Sequence, residues 1–108
     1  MTIFLSGYLQ DSNKWTQKGR NHGTLTILND VIFFNGRKGR EVNIPLKDIK
    51  NAHNEGIKVI MNMKAGNLWS FAISPYWRAI SITEAIQFKK EAETLSKILN
   101  HFIKEGEA

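Results

Sequence analysis

The densest chemistry in this 108-residue chain is cationic. Lys14, Lys18, Arg20, Arg37, Lys38 and Arg40 fall between residues 13 and 40, where Asp30 is the single acid. The chain carries a formal charge of +5, so this one segment accounts for it and the remainder is balanced. Lysine meets a phosphate as a point charge, and arginine can meet it with two parallel hydrogen bonds. A confined cationic patch also steers an anionic partner. Trp15 stands beside the first group, a residue type suited to a membrane interface. The plain alternatives are a solvated loop with incidental charge and an edge hairpin protected by charge against aggregation.

Other chemistry is thinner. There is no cysteine, which excludes disulfides, thiolate metal sites and a cysteine nucleophile. His22, His53 and His101 are far apart, and only His101 has a carboxylate at helical spacing, Glu105, which reads as an exposed helical pair. Glu91 and Glu93 sit among lysines, where surface pairing explains them better than acid–base catalysis. No serine or threonine has an evident base partner, and no Walker-type phosphate loop occurs. The expectation is therefore a protein that is not an enzyme and uses no metal or cofactor.

The elements that would position the cations read as short strands followed by one helix. Ile3–Gln10 is a β-type run, and residues 11–23 are polar and loop-like. Thr24–Leu28 alternates with period two, Asn29-Asp30 supplies turn residues, and Val31–Phe34 follows. Asn35-Gly36 is a tight-turn signal, because both residues tolerate positive φ. Glu41–Ile44 alternates again up to Pro45, and Lys47–His53 is a weak strand anchored by Ile49. Glu55-Gly56 turns the chain into Ile57–Met63, and Ala65-Gly66-Asn67 turns it into Leu68–Ile73, where Trp69, Phe71 and Ile73 share a face.

This makes about seven antiparallel strands in one mostly β domain covering residues 1–108, a barrel or sandwich. The connection Ser74–Ile80 is rich in aromatics, with Tyr76 and Trp77. Ser81-Ile82-Thr83-Glu84 has the form of a capping box. Ala85, Phe88, Ala92, Leu95, Leu99, Phe102 and Ile103 then make one apolar stripe, predicting an amphipathic helix over roughly 82–104 that ends near Gly106.

Seven strands and a C-terminal helix is the order of the pleckstrin-homology-like (PH-like) superfold. The stretch Gly23-Thr24-Leu25-Thr26-Ile27-Leu28-Asn29-Asp30-Val31-Ile32-Phe33-Phe34 resembles GRAM and bacterial PH-like domains, in which a glycine precedes a strand, a turn and an apolar strand. Ile44-Pro45-Leu46-Lys47-Asp48-Ile49 looks like the family's lead into the fifth strand, and Leu68-Trp69-Ser70-Phe71 resembles the last strand before the helix. PTB-type domains share the superfold. Many eukaryotic PH domains carry a tryptophan in the C-terminal helix. Here the tryptophans are Trp15, Trp69 and Trp77, which favours the GRAM or bacterial branch.

The resemblance implies a binding or adaptor domain. In phosphoinositide-binding PH domains the loop between the first two strands carries spaced basic residues, and Lys18-Gly19-Arg20 has the Lys-x-Arg spacing of that motif. The resemblance also implies that the loops after strands one and three share one open end, bringing both basic groups to a single anion.

The leading expectation is docking to an anionic membrane surface or lipid headgroup through Lys14, Lys18, Arg20, Arg37, Lys38 and Arg40, with Trp15 at the membrane. The alternative is a protein partner or self-association, as in PTB-type domains where a peptide adds to the fifth strand beside the helix. Nucleic acid ranks third, since no aromatic platform beyond Trp15 accompanies the cations. The N-terminus lacks the basic start and long apolar core of a signal peptide, and no apolar run reaches about 18 residues. A cytoplasmic protein, peripheral to a membrane at most, is expected.

Overall fold

The computed structural model describes residues 3–11, 22–36, 39–74 and 80–107. It contains seven antiparallel strands, β1 (Ile3–Asp11), β2 (His22–Leu28), β3 (Val31–Gly36), β4 (Glu41–Pro45), β5 (Ile49–Glu55), β6 (Lys58–Met63) and β7 (Leu68–Ile73), followed by one helix, α1 (Ile82–Glu107). A short 3-10 turn, Leu46–Asp48, joins β4 to β5. All strands belong to one sheet in the order β4-β3-β2-β1-β7-β6-β5, so β4 and β5 are its two edges. This is the mostly β, sheet-plus-helix architecture expected from the sequence.

The sheet bends through β1. Residues 3–8 pair with β2, whereas residues 7–11 pair with β7, so one strand serves both halves. Glycines mark the crossing: Gly7 pairs with Gly23, and Gly23 pairs with Gly36. A Cβ on Gly7 would collide with the Ala72 carbonyl oxygen and come within 2.8 Å of the Phe71 ring, and one on Gly23 would collide with the Asn35 carbonyl oxygen. The backbones approach this closely because no side chain stands between them, the usual meaning of glycine at a barrel corner.

Alternation fills the concave face. Leu25, Ile27, Ile32, Phe34, Ile44, Val59, Met61, Phe71 and Ile73 are buried in one cluster with Leu9, Ile49 and Ala52. Phe34 and Phe71, from opposite halves of the bent sheet, meet edge to face at 6.3 Å and 74°. Such a pair adds about 0.5–1.5 kcal/mol beyond its buried area. Trp69 packs against the same cluster, part-buried.

The helix closes the gap. Its 26 residues make a rod of about 39 Å, close to the 42 Å longest dimension of the molecule. Ala92, Leu95, Leu99 and Ile103 are buried against the core, with Phe88 and Phe102 part-buried beside them. The capping box forms as its sequence implies: Glu84 N–H donates to Ser81 Oγ at 3.1 Å, and Ser81 N–H donates to Glu84 Oε1 at 3.3 Å. The helix runs on through Gly106 to Glu107, further than the glycine alone suggests.

One turn differs from expectation. Asn35 and Gly36 are not a tight turn but the end of β3, paired with Glu41 and Gly23 respectively. Asn35 continues the ladder between β2 and β4, so the reversal is pushed beyond it. The chain returns by way of Gly39, at φ +78°, and Gly36 N–H donates to the Arg40 carbonyl at 2.6 Å. The left-handed pair is instead Asn29 and Asp30, at φ 52° and 66°, between β2 and β3. Both are residue types that tolerate this region. The weak strand expected over 47–53 begins two residues later, because Leu46–Asp48 coils into the 3-10 turn that carries the chain from one half to the other.

Candidate functional site

The register sets where the basic connections emerge. β1 ends at Asp11 and β2 begins at His22, and Tyr8 is paired with His22. β3 ends at Gly36, opposite Gly23 at the start of β2. The 12–21 and 37–40 connections are therefore rooted side by side at the same end of the sheet. Lys14, Trp15, Lys18, Arg20, Arg37 and Lys38 lie outside the described residues.

Arg40 is described, and it occupies the rim of that end. Its half-buried side chain turns inward and donates from Nη1 to the Leu9 carbonyl at a long 3.5 Å. It thereby reaches from the start of β4 to β1. His22 braces the same end. Its Nε2 lies 3.0 Å from the Ser74 carbonyl oxygen, and its ring stands edge-on to Tyr8 at 4.8 Å and 73°. Ser74 N–H in turn donates to the Ser6 carbonyl at 3.2 Å. These contacts tie the start of β2 to β1 and to the end of β7, giving the loops a fixed base.

The remaining histidines take ordinary surface roles. His53 Nε2 lies 3.5 Å from Glu55 Oε1, and its Nδ1 lies 3.3 Å from Asn62 Nδ2. His101 and Glu105 form the exposed i,i+4 pair read from the sequence, at 3.1 Å. Among the described residues no three His, Asp or Glu side chains cluster as a metal site would require. Glu91 accepts a hydrogen bond from Gln87 Nε2 at 3.4 Å on the helix surface.

Two features escaped the sequence reading. The first is a cleft of about 460 Å³ away from the basic loops, lined by Asn29, Asp30, Val31, Leu46, Lys47, Lys64, Phe102 and Ile103. Its size falls in the range of small-ligand sites. Its rim mixes two lysines with an aspartate, so it has no single charge preference. It forms only because the β2–β3 turn, the 3-10 turn and the end of the helix meet, and local patterning carries no trace of that meeting.

The second is a side-chain clamp on β5. Asn100 of the helix receives the Ala52 N–H on Oδ1 at 2.8 Å and returns Nδ2–H to the Ala52 carbonyl at 2.7 Å. The middle of the β5 edge, where a PTB-type peptide would add, is thus already hydrogen-bonded to the helix.

Among the described residues no helix is long and apolar enough to cross a membrane. No family model and no curated protein matches the sequence.

Proposed function

We propose that this chain is a non-catalytic binding domain of the PH-like, GRAM-related type, and that it docks an anionic membrane surface at the end of the sheet bearing the two basic connections. The observation that carries the reading is the register that roots both connections beside His22, Gly23 and Gly36, with Arg40 on the rim. Lys14, Lys18, Arg20, Arg37, Lys38 and Arg40 belong to those connections, which Asp11 and Glu41 flank. Cations gathered on adjacent loops reach one anionic surface together, and their attractions combine at about 1 kcal/mol per basic residue near an anionic leaflet. The bracing by Arg40 and His22 gives the loops a preset base, which lowers the ordering cost of binding.

Charge reversal tests the reading. Changing Lys18, Arg20, Arg37 and Lys38 together to Glu is expected to abolish sedimentation with vesicles containing anionic lipid. Binding that survives the reversal would overturn the reading.

A further inference from the structure

The cleft near the C-terminal end of α1 carries its charges in separate places. Its larger part, about 460 Å³, has apolar walls from Val31 and Pro45 on the strands, Leu46 in the 3-10 turn, and Phe102 and Ile103 on the helix. A recess of about 270 Å³ adjoins it, sharing Asn29, Asp30, Leu46 and Phe102 and adding Ile27. Lys47 and Lys64 line the larger part and not the recess. Among the described residues, Asp30 is the one charged side chain lining the recess.

Backbone hydrogen bonds fix this arrangement. Asn29 and Asp30 stand at φ 52° and 66° in the β2–β3 turn, and the Leu46 N–H donates to the Asp30 carbonyl at 2.9 Å. That bond pins the β2–β3 turn to the 3-10 turn, in which Lys47 follows Leu46. The Lys64 N–H donates to the Asp48 carbonyl at 2.9 Å, which brings the residue after β6 to the same 3-10 turn. One acid and two lysines are thus set around a single apolar cleft, on segments bonded to one another.

Small-molecule sites are mostly apolar, with a few polar groups that fix orientation. Here those groups call for both signs. A carboxylate can be met by the ammonium groups of Lys47 and Lys64 in charge-assisted hydrogen bonds. An ammonium in the recess can donate to the Asp30 carboxylate and the Asn29 side-chain carbonyl, and lie against the Phe102 ring, whose face attracts cations. An anion alone is repelled by Asp30, and a cation alone by the lysines. We propose that the cleft binds a small zwitterion with an apolar body, of the class of an apolar or aromatic α-amino acid. Its ammonium lies at Asp30 and its carboxylate at Lys47 and Lys64. The site is distinct from the basic connections, and its occupancy does not depend on membrane docking.

The probe is L-phenylalanine, titrated into the isotope-labelled full chain and followed by backbone amide NMR shifts. Two blocked forms accompany it: N-acetylphenylalanine, which lacks the cation, and phenylalanine amide, which lacks the anion. Phenylalanine is expected to give saturable shifts at Asn29, Asp30, Leu46, Lys47 and Phe102. Each blocked form should bind at least about tenfold more weakly, the loss of a charge-assisted hydrogen bond. Asp30→Asn keeps a residue type that tolerates left-handed φ. It should weaken phenylalanine about tenfold while leaving N-acetylphenylalanine no weaker than with wild type. The double variant Lys47→Gln with Lys64→Gln should weaken phenylalanine and leave phenylalanine amide no weaker. Should one variant fail to fold by circular dichroism, the other decides. Absence of saturable shifts in the cleft up to the solubility limit of phenylalanine, equal affinity for the three probes, or a folded variant that weakens all three alike overturns the proposal.

Discussion

Replacing Gly7 with alanine should destabilise the fold, against the general trend for glycine in strands. Alanine in a strand interior is ordinarily favoured over glycine by about 0.5–1 kcal/mol, since it lowers the entropy of the unfolded chain. At Gly7 that gain meets a collision. The added methyl would overlap the Ala72 carbonyl oxygen and lie 2.8 Å from Phe71 Cζ and 3.0 Å from the Ala72 carbonyl carbon. Two of these three atoms are backbone on the neighbouring strand, so no rotamer change relieves them. Phe71 is fully buried and shares an edge-to-face contact with Phe34, so it has little room to retreat.

Overpacking of this kind costs about 1–3 kcal/mol. With backbone as the obstacle we take the upper part of that range, leaving a net loss of about 2 kcal/mol after the entropic gain. For a domain near 100 residues this corresponds to a fall in Tm of about 8–16 °C. Urea titration should show a lower midpoint at unchanged m. Gly56→Ala is the control: Gly56 has φ +60° with nothing within 4 Å of its added methyl, so it loses only the left-handed penalty of roughly 1–2 kcal/mol. A Gly7→Ala protein as stable as wild type would refute the close-approach argument for the bend in β1.

Further outcomes follow from the packing and the caps. Leu99→Ala removes a side chain 1% exposed at the centre of the helix–sheet contact, and chemical denaturation should record a loss of about 2–5 kcal/mol. Ser81→Ala breaks the capping box and should cost about 1 kcal/mol in the same assay. Glu105→Gln removes an exposed pair with His101 and should change stability by less than about 0.5 kcal/mol. Arg40→Ala removes a cation from the rim of that end, and affinity for anionic vesicles should fall measurably in the sedimentation assay.

What local patterning dictates was legible in advance. The capping box at Ser81–Glu84 and the stripe from Ala85 to Ile103 announce the helix, and alternation at Thr24–Leu28 announces a strand that buries Leu25 and Ile27, whereas in Leu68–Ile73 Ser70 and Ala72 are buried along with Phe71 and Ile73. Long-range geometry was not legible. Asn35-Gly36 has the chemistry of a turn, yet pairing with both flanking strands keeps it in β3. Gly7, Gly23 and Gly36 are unremarkable singly and acquire meaning only as neighbours across three strands. Asn100 looks like one more polar residue of an amphipathic helix until Ala52 is placed beside it. The candidate anion site is intermediate. Its cations are conspicuous by composition, but only the register shows that their connections start from one end.

The most direct measurement is co-sedimentation of the wild-type chain with neutral vesicles and with vesicles containing anionic lipid, each at low and at physiological salt. The account predicts binding to the anionic vesicles alone, weakening as salt screens the cations. Equal sedimentation with both vesicle types, or with neither, would contradict it.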